Sequence, residues 1–185
     1  VLITDARSPA GVALAAAMTD AGAKNVFAGV AESWKRDTAI ERLEGMNRVS
    51  VVPLDLTDTR SVEELCGEIG GKVDILVHNA EHVRPGGVMT GRGIADAKQL
   101  HDKLVFGFMR LAENFGPVMR GRGADGVNSA TAWVNLLSVY AHANWPAYGQ
   151  YSAAHAAALS LAQCLRGEML GSGVRVINTF AGPLE

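Results

Sequence analysis

Three side chains in the last third of the chain carry chemistry that reads directly from type and spacing. Ser138 and Tyr151 stand thirteen residues apart, and His155 follows Tyr151 by four. Ser138 closes an apolar run of strand character, and Tyr151 opens an Ala-rich helical stretch. A spacing of four places Tyr151 and His155 on one helix face. A phenol ionises near pH 10, so it exchanges a proton near pH 7 only with help from a neighbouring cation. An imidazole of ordinary pKa is mostly neutral at pH 7 and supplies less positive field than a lysine. A serine at a strand end and a tyrosine at a helix start are also ordinary structural residues, and a histidine on an Ala-rich helix is often packed or at an interface. Both readings stay open on these residues alone. Tyr140, His142, Asn144, Trp145, Pro146 and Tyr148 fill the interval between Ser138 and Tyr151. His78, Glu81 and His82 fit no helix-based zinc spacing, so no metal is expected. Cys66 and Cys164 have no partner motif and read as small buried hydrophobes rather than a disulfide or zinc pair.

The elements that must position these groups alternate regularly. Strand-like runs occur at Val1–Thr4, Asn25–Ala28, Val49–Leu54, Asp74–His78, Ala132–Ser138 and Val174–Thr179. Several are continuously apolar, which suits strands buried on both faces of a parallel sheet. Helical stretches separate them at Gly11–Ala21, 33–44, 61–70, Ile94–Met119 and Ser152–Leu170. Ser61 with Glu64 three residues later has the form of a capping box, and Gly22 and Gly171 read as helix stops. Arg120–Ala130 reads as a solvated loop. This alternation predicts a single α/β domain, a Rossmann-like doubly wound parallel sheet with strand order 3-2-1-4-5-6. The 185 residues are 48% hydrophobic and 19% charged, with a net charge of -2. That balance argues against a nucleic-acid partner. No apolar run reaches the roughly 18–20 residues that span a bilayer. Asp5 and Arg7 interrupt the first apolar stretch and spoil any signal-peptide pattern, so a cytoplasmic protein without a membrane partner is expected.

A doubly wound sheet binds a nucleotide at its first strand-to-helix turn, where glycines admit the pyrophosphate and helix-start amides hold it. Here the turn reads Thr4-Asp5-Ala6-Arg7-Ser8-Pro9-Ala10-Gly11. It resembles the Thr-Gly-x-x-x-Gly-x-Gly turn of the short-chain dehydrogenase/reductase family, matching at Thr4 and Gly11. Asp5 replaces the first glycine and brings a carboxylate and a Cβ. Pro9 replaces the second and has no N–H to donate. The resemblance continues along the chain. Asp55-Leu56-Thr57-Asp58 is similar to the family segment whose first Asp contacts adenine. His78-Asn79-Ala80-Glu81 resembles Asn-Asn-Ala-Gly, matching at Asn79 and Ala80. Gly182 and Pro183 resemble the Pro-Gly turn after the sixth strand. Glu32 falls late for the ribose-binding acid of the second strand, and the choice between NAD and NADP is not legible.

The resemblance implies roles for the first three side chains. The tyrosine, here Tyr151, is the family's general acid/base, and the serine, here Ser138, orients the substrate carbonyl. His155 stands where the family has a lysine that lowers the tyrosine pKa and binds the nicotinamide ribose. Leu104 stands where an asparagine holds a water. The implied cofactor is NAD or NADP, held by Thr4, Gly11, Asp55, Leu56, Asn79 and Ala80 against the opposition of Asp5 and Pro9. The leading reading is an oxidoreductase that transfers hydride between nicotinamide and a carbonyl or alcohol. One alternative is a catalytically impaired member supporting an active partner subunit. Another is cofactor-free chemistry similar to the halohydrin dehalogenases, which share the fold and use Ser, Tyr and a basic residue at these spacings. The family's dimer helices correspond to 96–119 and 152–170, so a homo- or hetero-oligomer is expected. Family members continue past the Pro-Gly turn, so residues 1–185 are expected to lack a substrate lid and a seventh strand.

Overall fold

A computed structural model of the chain describes residues 1–80, 83, 85–89, 93–124 and 130–182. Six strands form one sheet: β1 (Leu2–Ile3), β2 (Val26–Val30), β3 (Val49–Pro53), β4 (Ile75–His78), β5 (Ala132–Ser138) and β6 (Arg175–Ala181). All pairings are parallel, in the order β3-β2-β1-β4-β5-β6, as the alternation predicts. The helices are α1 (Pro9–Asp20), α2 (Thr38–Glu44), α3 (Thr59–Ile69), α4 (Gly93–His101), α5 (Gly107–Ala124) and α6 (Gly149–Glu168). Successive side chains of a strand point to opposite faces, so each strand feeds two cores. Leu2 and Leu76 join Phe115, Trp133 and Leu165 on one face, whereas Ile3 and Val77 join Val12, Ile40 and Leu43 on the other. Glu81, His82 and Pro183 lie outside the described residues.

Local chemistry explains where several elements depart from expectation. The helix expected over 33–44 is confined to α2, because Asp37 caps it by accepting from Ile40 N. α3 is capped by Asp58 through Arg60 N rather than by Ser61. The Ser61 hydroxyl is engaged elsewhere, accepting from Asp55 N at 3.0 Å. The helix expected over Ile94–Met119 is α4 and α5 joined by a π-helical turn, Asp102–Phe106. Arg110 braces that turn, with its guanidinium on the Asp102 carbonyl and carboxylate and on Leu56 O. α5 runs on through Arg120 to Ala124, into the stretch expected to be loop. Cys164 is exposed and Cys66 half-buried, so neither is the buried hydrophobe expected.

α1 begins at Ser8, whose hydroxyl accepts from Gly11 N, with Pro9 at the first helical position where its missing N–H is harmless. Gly22 follows its end with φ +90°, a left-handed position that glycine takes without strain. Gly11 lets α1 approach the preceding turn, since a Cβ there would sit 2.5 Å from Ala6 Cα and 2.7 Å from Asp5 O. Those atoms are backbone and cannot swing aside. Gly11→Ala is therefore expected to destabilise the fold by about 2 kcal/mol, the usual cost of forced overpacking. Urea denaturation reads this as a lower midpoint at constant slope; an unchanged midpoint would refute the close-approach account.

Candidate active site

The order of strands reverses between β1 and β4, and the crevice at their C-terminal ends is where a doubly wound sheet places its ligand. Side-chain hydrogen bonds sew the two ends together. Thr4 Oγ1 donates to Asn79 O at 2.6 Å and accepts from Asn79 N at 2.9 Å. Asn79 Nδ2 donates to Asp5 O and to Ser8 Oγ, at 3.2 and 2.9 Å. Ser8 N and its hydroxyl also donate to Asp5 O. Asp5 takes φ +48° in this turn, a left-handed conformation that Asp tolerates better than most residues. Its carboxylate is met by Lys103 Nζ from the π-helical turn at 2.7 Å, both side chains being largely buried. The first turn of α1 spends its donors locally. Pro9 has none, Gly11 N goes to Ser8 Oγ and Val12 N to Ser8 O, which leaves Ala10 N–H for an anion among the described residues.

Asn79, Ala80, Ser138, Tyr151 and His155 line one cleft of about 200 Å³, together with Ala10. Ser138 comes from the end of β5 and Tyr151 and His155 from the first two turns of α6. Ser138 Oγ accepts from Tyr140 N at 3.2 Å, an acceptor role that leaves its own proton to donate. His155 Nδ1 accepts from Ser138 N at 3.1 Å, which puts the ring proton on Nε2. The Tyr151 and His155 rings lie against each other, centroids 4.3 Å apart. Burial lowers the His155 pKa to about 4, so the imidazole is neutral at pH 7. His155 is thus an acceptor for the Ser138 backbone, not a source of positive field. His78, at the end of β4, is fully buried against Phe108, and neither ring nitrogen has a hydrogen-bond partner among the described residues. Burial, with a smaller effect from His155, lowers its pKa to about 3.

Other candidates stand apart from this cleft. Gly11 serves the packing of α1 and does not line it. Asp55 and Leu56 follow β3, two strands from β1. Asp55 Oδ1 accepts from Thr57 N and Oγ1, and the Leu56 side chain is buried in the core. Glu32, with φ +49°, pairs with Lys35 at the surface. Leu104 is buried in the π-helical turn. Two residues escape sequence reasoning. Lys103 compensates Asp5, and Arg7 ties the first turn to the loop after β2 through Ala31 O, Lys35 O and Asp37. A carboxylate in a turn that glycine should occupy is the one signal that a cation must be sought.

Residues 6–185 match the family model described as enoyl-(acyl carrier protein) reductase. Short-chain dehydrogenase PC-15 of Penicillium crustosum is 29% identical over 162 residues, covering 82% of this chain and 54% of that protein. Sulfoacetaldehyde reductase 2 of Chromohalobacter salexigens is 29% identical over 188 residues, covering 100% of this chain and 72% of that one. The crystal structure of a short-chain dehydrogenase from Burkholderia cenocepacia in complex with NADP superposes with a TM-score of 0.85 at 27% identity, over 100% of this chain and 72% of that one. The chain spans about half the length of the first curated relatives it matches. These relatives favour neither the impaired-subunit nor the dehalogenase reading. No helix among the described residues is long and apolar enough to cross a membrane.

The two buried imidazoles set a pH dependence. Folded, they stay neutral down to about pH 3 and 4, whereas unfolded histidines protonate near pH 6.5. Between these limits the unfolded chain binds more protons, so stability falls as pH drops below about 6.5. At pH 5 each histidine is expected to remove about 2 kcal/mol. Unfolding free energies at pH 7.5 and 5 measure this, and His78→Leu should flatten the slope; an equally steep slope in the variant would clear His78 of the effect.

Proposed function

Because the chain belongs to the short-chain dehydrogenase/reductase family, we propose that it is an NAD(P)-dependent oxidoreductase acting on a carbonyl or its alcohol. The observation that carries this reading is the shared cleft. Ser138 and Tyr151 face the same space as Ala10, Asn79 and Ala80, at the crevice where the sheet order reverses. The NADP in the Burkholderia relative supports the choice of cofactor class.

The residues present fit a dinucleotide with a reduced phosphate grip. Asn79 and Ala80 would flank its nicotinamide half, with Thr4 fixing Asn79 from below. Ala10 N–H at the start of α1 would face its pyrophosphate, and Asp55 would lie toward its adenine. The Asp5 carboxylate does not meet the phosphates as a bare charge, since Lys103 neutralises it. A bound nicotinamide supplies or accepts the hydride. Ser138 donates its hydroxyl proton in a hydrogen bond to the substrate oxygen, which polarises the carbonyl and fixes its position. Tyr151 delivers the phenolic proton to that oxygen during reduction, the direction favoured by a phenol that stays protonated beside a neutral His155. His155 holds the Ser138 backbone at the strand end and so positions the hydroxyl.

A second copy of the chain is the proposed partner, through α5 and α6. These helices border an open groove lined by Phe108, Met109, Gly116, Leu161 and Cys164, with Met109 40% exposed. Small residues on both helices permit close approach of another helix pair. Sedimentation should show an oligomer that Met109→Glu weakens; a monomer at high concentration removes this interface.

Titration of the purified protein with NADPH and NADH, followed by cofactor fluorescence, tests the activity. Binding at or below about 1 mM is expected, within the usual range for enzyme ligands, and its absence refutes the oxidoreductase reading. Tyr151→Phe should then lower turnover by about 10²–10⁴-fold, the loss of a positioned acid/base. Asp5→Gly should tighten the cofactor about tenfold by removing a carboxylate from the turn that faces the phosphates; looser binding would show that the Asp5–Lys103 pair itself builds the site.

A further inference from the structure

One wall of the cleft over Ser138 and Tyr151 is aromatic. Tyr140 stacks on Tyr148, with ring centroids 5.7 Å apart and planes 14° apart. Tyr151 stands edge-on to both, at 6.1 and 6.3 Å with interplanar angles of 80° and 70°. Trp145 extends the array outward from Tyr140 at 6.4 Å and is 55% exposed. Val83, Leu137 and Ala181 add aliphatic surface. Among the described residues that line the cleft, none carries a charge at pH 7, His155 being neutral.

Three constraints on a ligand follow. Faces and edges of phenol rings attract another flat ring in stacked or edge-to-face contact. A carboxylate or phosphate entering the cleft loses water and meets no cation among these lining residues, which costs more than a neutral group would. The proton left on Ser138 Oγ can be donated to a ligand oxygen in the cleft that Tyr151 also lines. We propose that the substrate is an uncharged aryl ketone or aryl aldehyde, its ring against the Tyr140–Tyr148 stack and its carbonyl oxygen at Ser138. The proposal rests on the oxidoreductase reading for its reaction and adds the substrate class. In reduction the carbonyl carbon gains the hydride from reduced nicotinamide, and the oxygen gains the Tyr151 proton. The phenolate recovers a proton from solvent, and the products are an aryl carbinol and oxidised cofactor. Tyr148 determines specificity, because it lines the ring wall and takes no part in the proton transfer.

Saturation-transfer difference NMR with acetophenone and with pyruvate reads contact without turnover, whether or not a cofactor binds. Saturation of the acetophenone ring protons is expected, with none for pyruvate. Tyr148→Leu should weaken the binding read from that signal about fivefold and Tyr148→Phe should keep it, with circular dichroism confirming that both fold. In NADPH-coupled assays Tyr148→Leu should raise KM for acetophenone about fivefold, the worth of one aromatic contact, with a smaller change in kcat. Equal saturation of pyruvate, or acetophenone binding unchanged by Tyr148→Leu, overturns the substrate class. Should NADPH fail to bind while acetophenone still saturates and Tyr148→Leu still weakens it, ring recognition stands and the oxidoreductase reading falls.

Discussion

The site hangs on the pair of hydrogen bonds between the Thr4 hydroxyl and the Asn79 backbone. They cross from β1 to β4, the two strands between which the sheet order reverses. Both residues of the exchange are buried, so breaking it would strand polar groups away from water and cost more than the bonds return in the open. With Asn79 held, its amide reaches the Asp5 carbonyl and Ser8, and Ser8 in turn caps α1. One threonine thereby fixes the first turn, the start of α1 and the floor of the cleft together. β5 then delivers Ser138 and α6 delivers Tyr151 against a floor already set.

The electrostatics of this arrangement consist mostly of cancelled or suppressed charge. Asp5 is answered by Lys103, and burial keeps His78 and His155 neutral. The hydrogen-bond donors of the α1 start are largely consumed by its own cap. Among the described residues, the cleft therefore offers hydroxyls, amides and rings, groups that act through shape and hydrogen bonding more than through long-range attraction.

The architecture was legible because its signals are local. Apolar runs of strand length, helix stops at Gly22 and Gly171, and a regular alternation suffice to give the order of six strands. The spacing of Ser138, Tyr151 and His155 likewise placed all three in one cleft. What escaped depends on contacts distant in sequence or on burial. Asp5 and Lys103 are 98 residues apart, and nothing near either names the other. Asp58 and Ser61 are both good caps, and the choice between them turns on Asp55 N–H claiming the Ser61 hydroxyl. The π-helical turn is hidden because apolar residues continue through it, and its brace, Arg110, reaches back to Leu56. For His155 the position was right and the physics incomplete. A mostly neutral ring is what the sequence leads one to expect, whereas its role as acceptor for the Ser138 amide depends on a contact 17 residues away.

That bond constrains how the chain can change. Lysine has donors and no acceptor. Placing lysine at 155 in one step would therefore leave the buried Ser138 N–H without its partner and set an ammonium beside His78, which cannot answer it. The substitution is tolerable only after a second change supplies a new acceptor for the strand end or a polar partner at 78. Positions 78, 138 and 155 behave as one physical unit, and a change at one of them asks for a change at another.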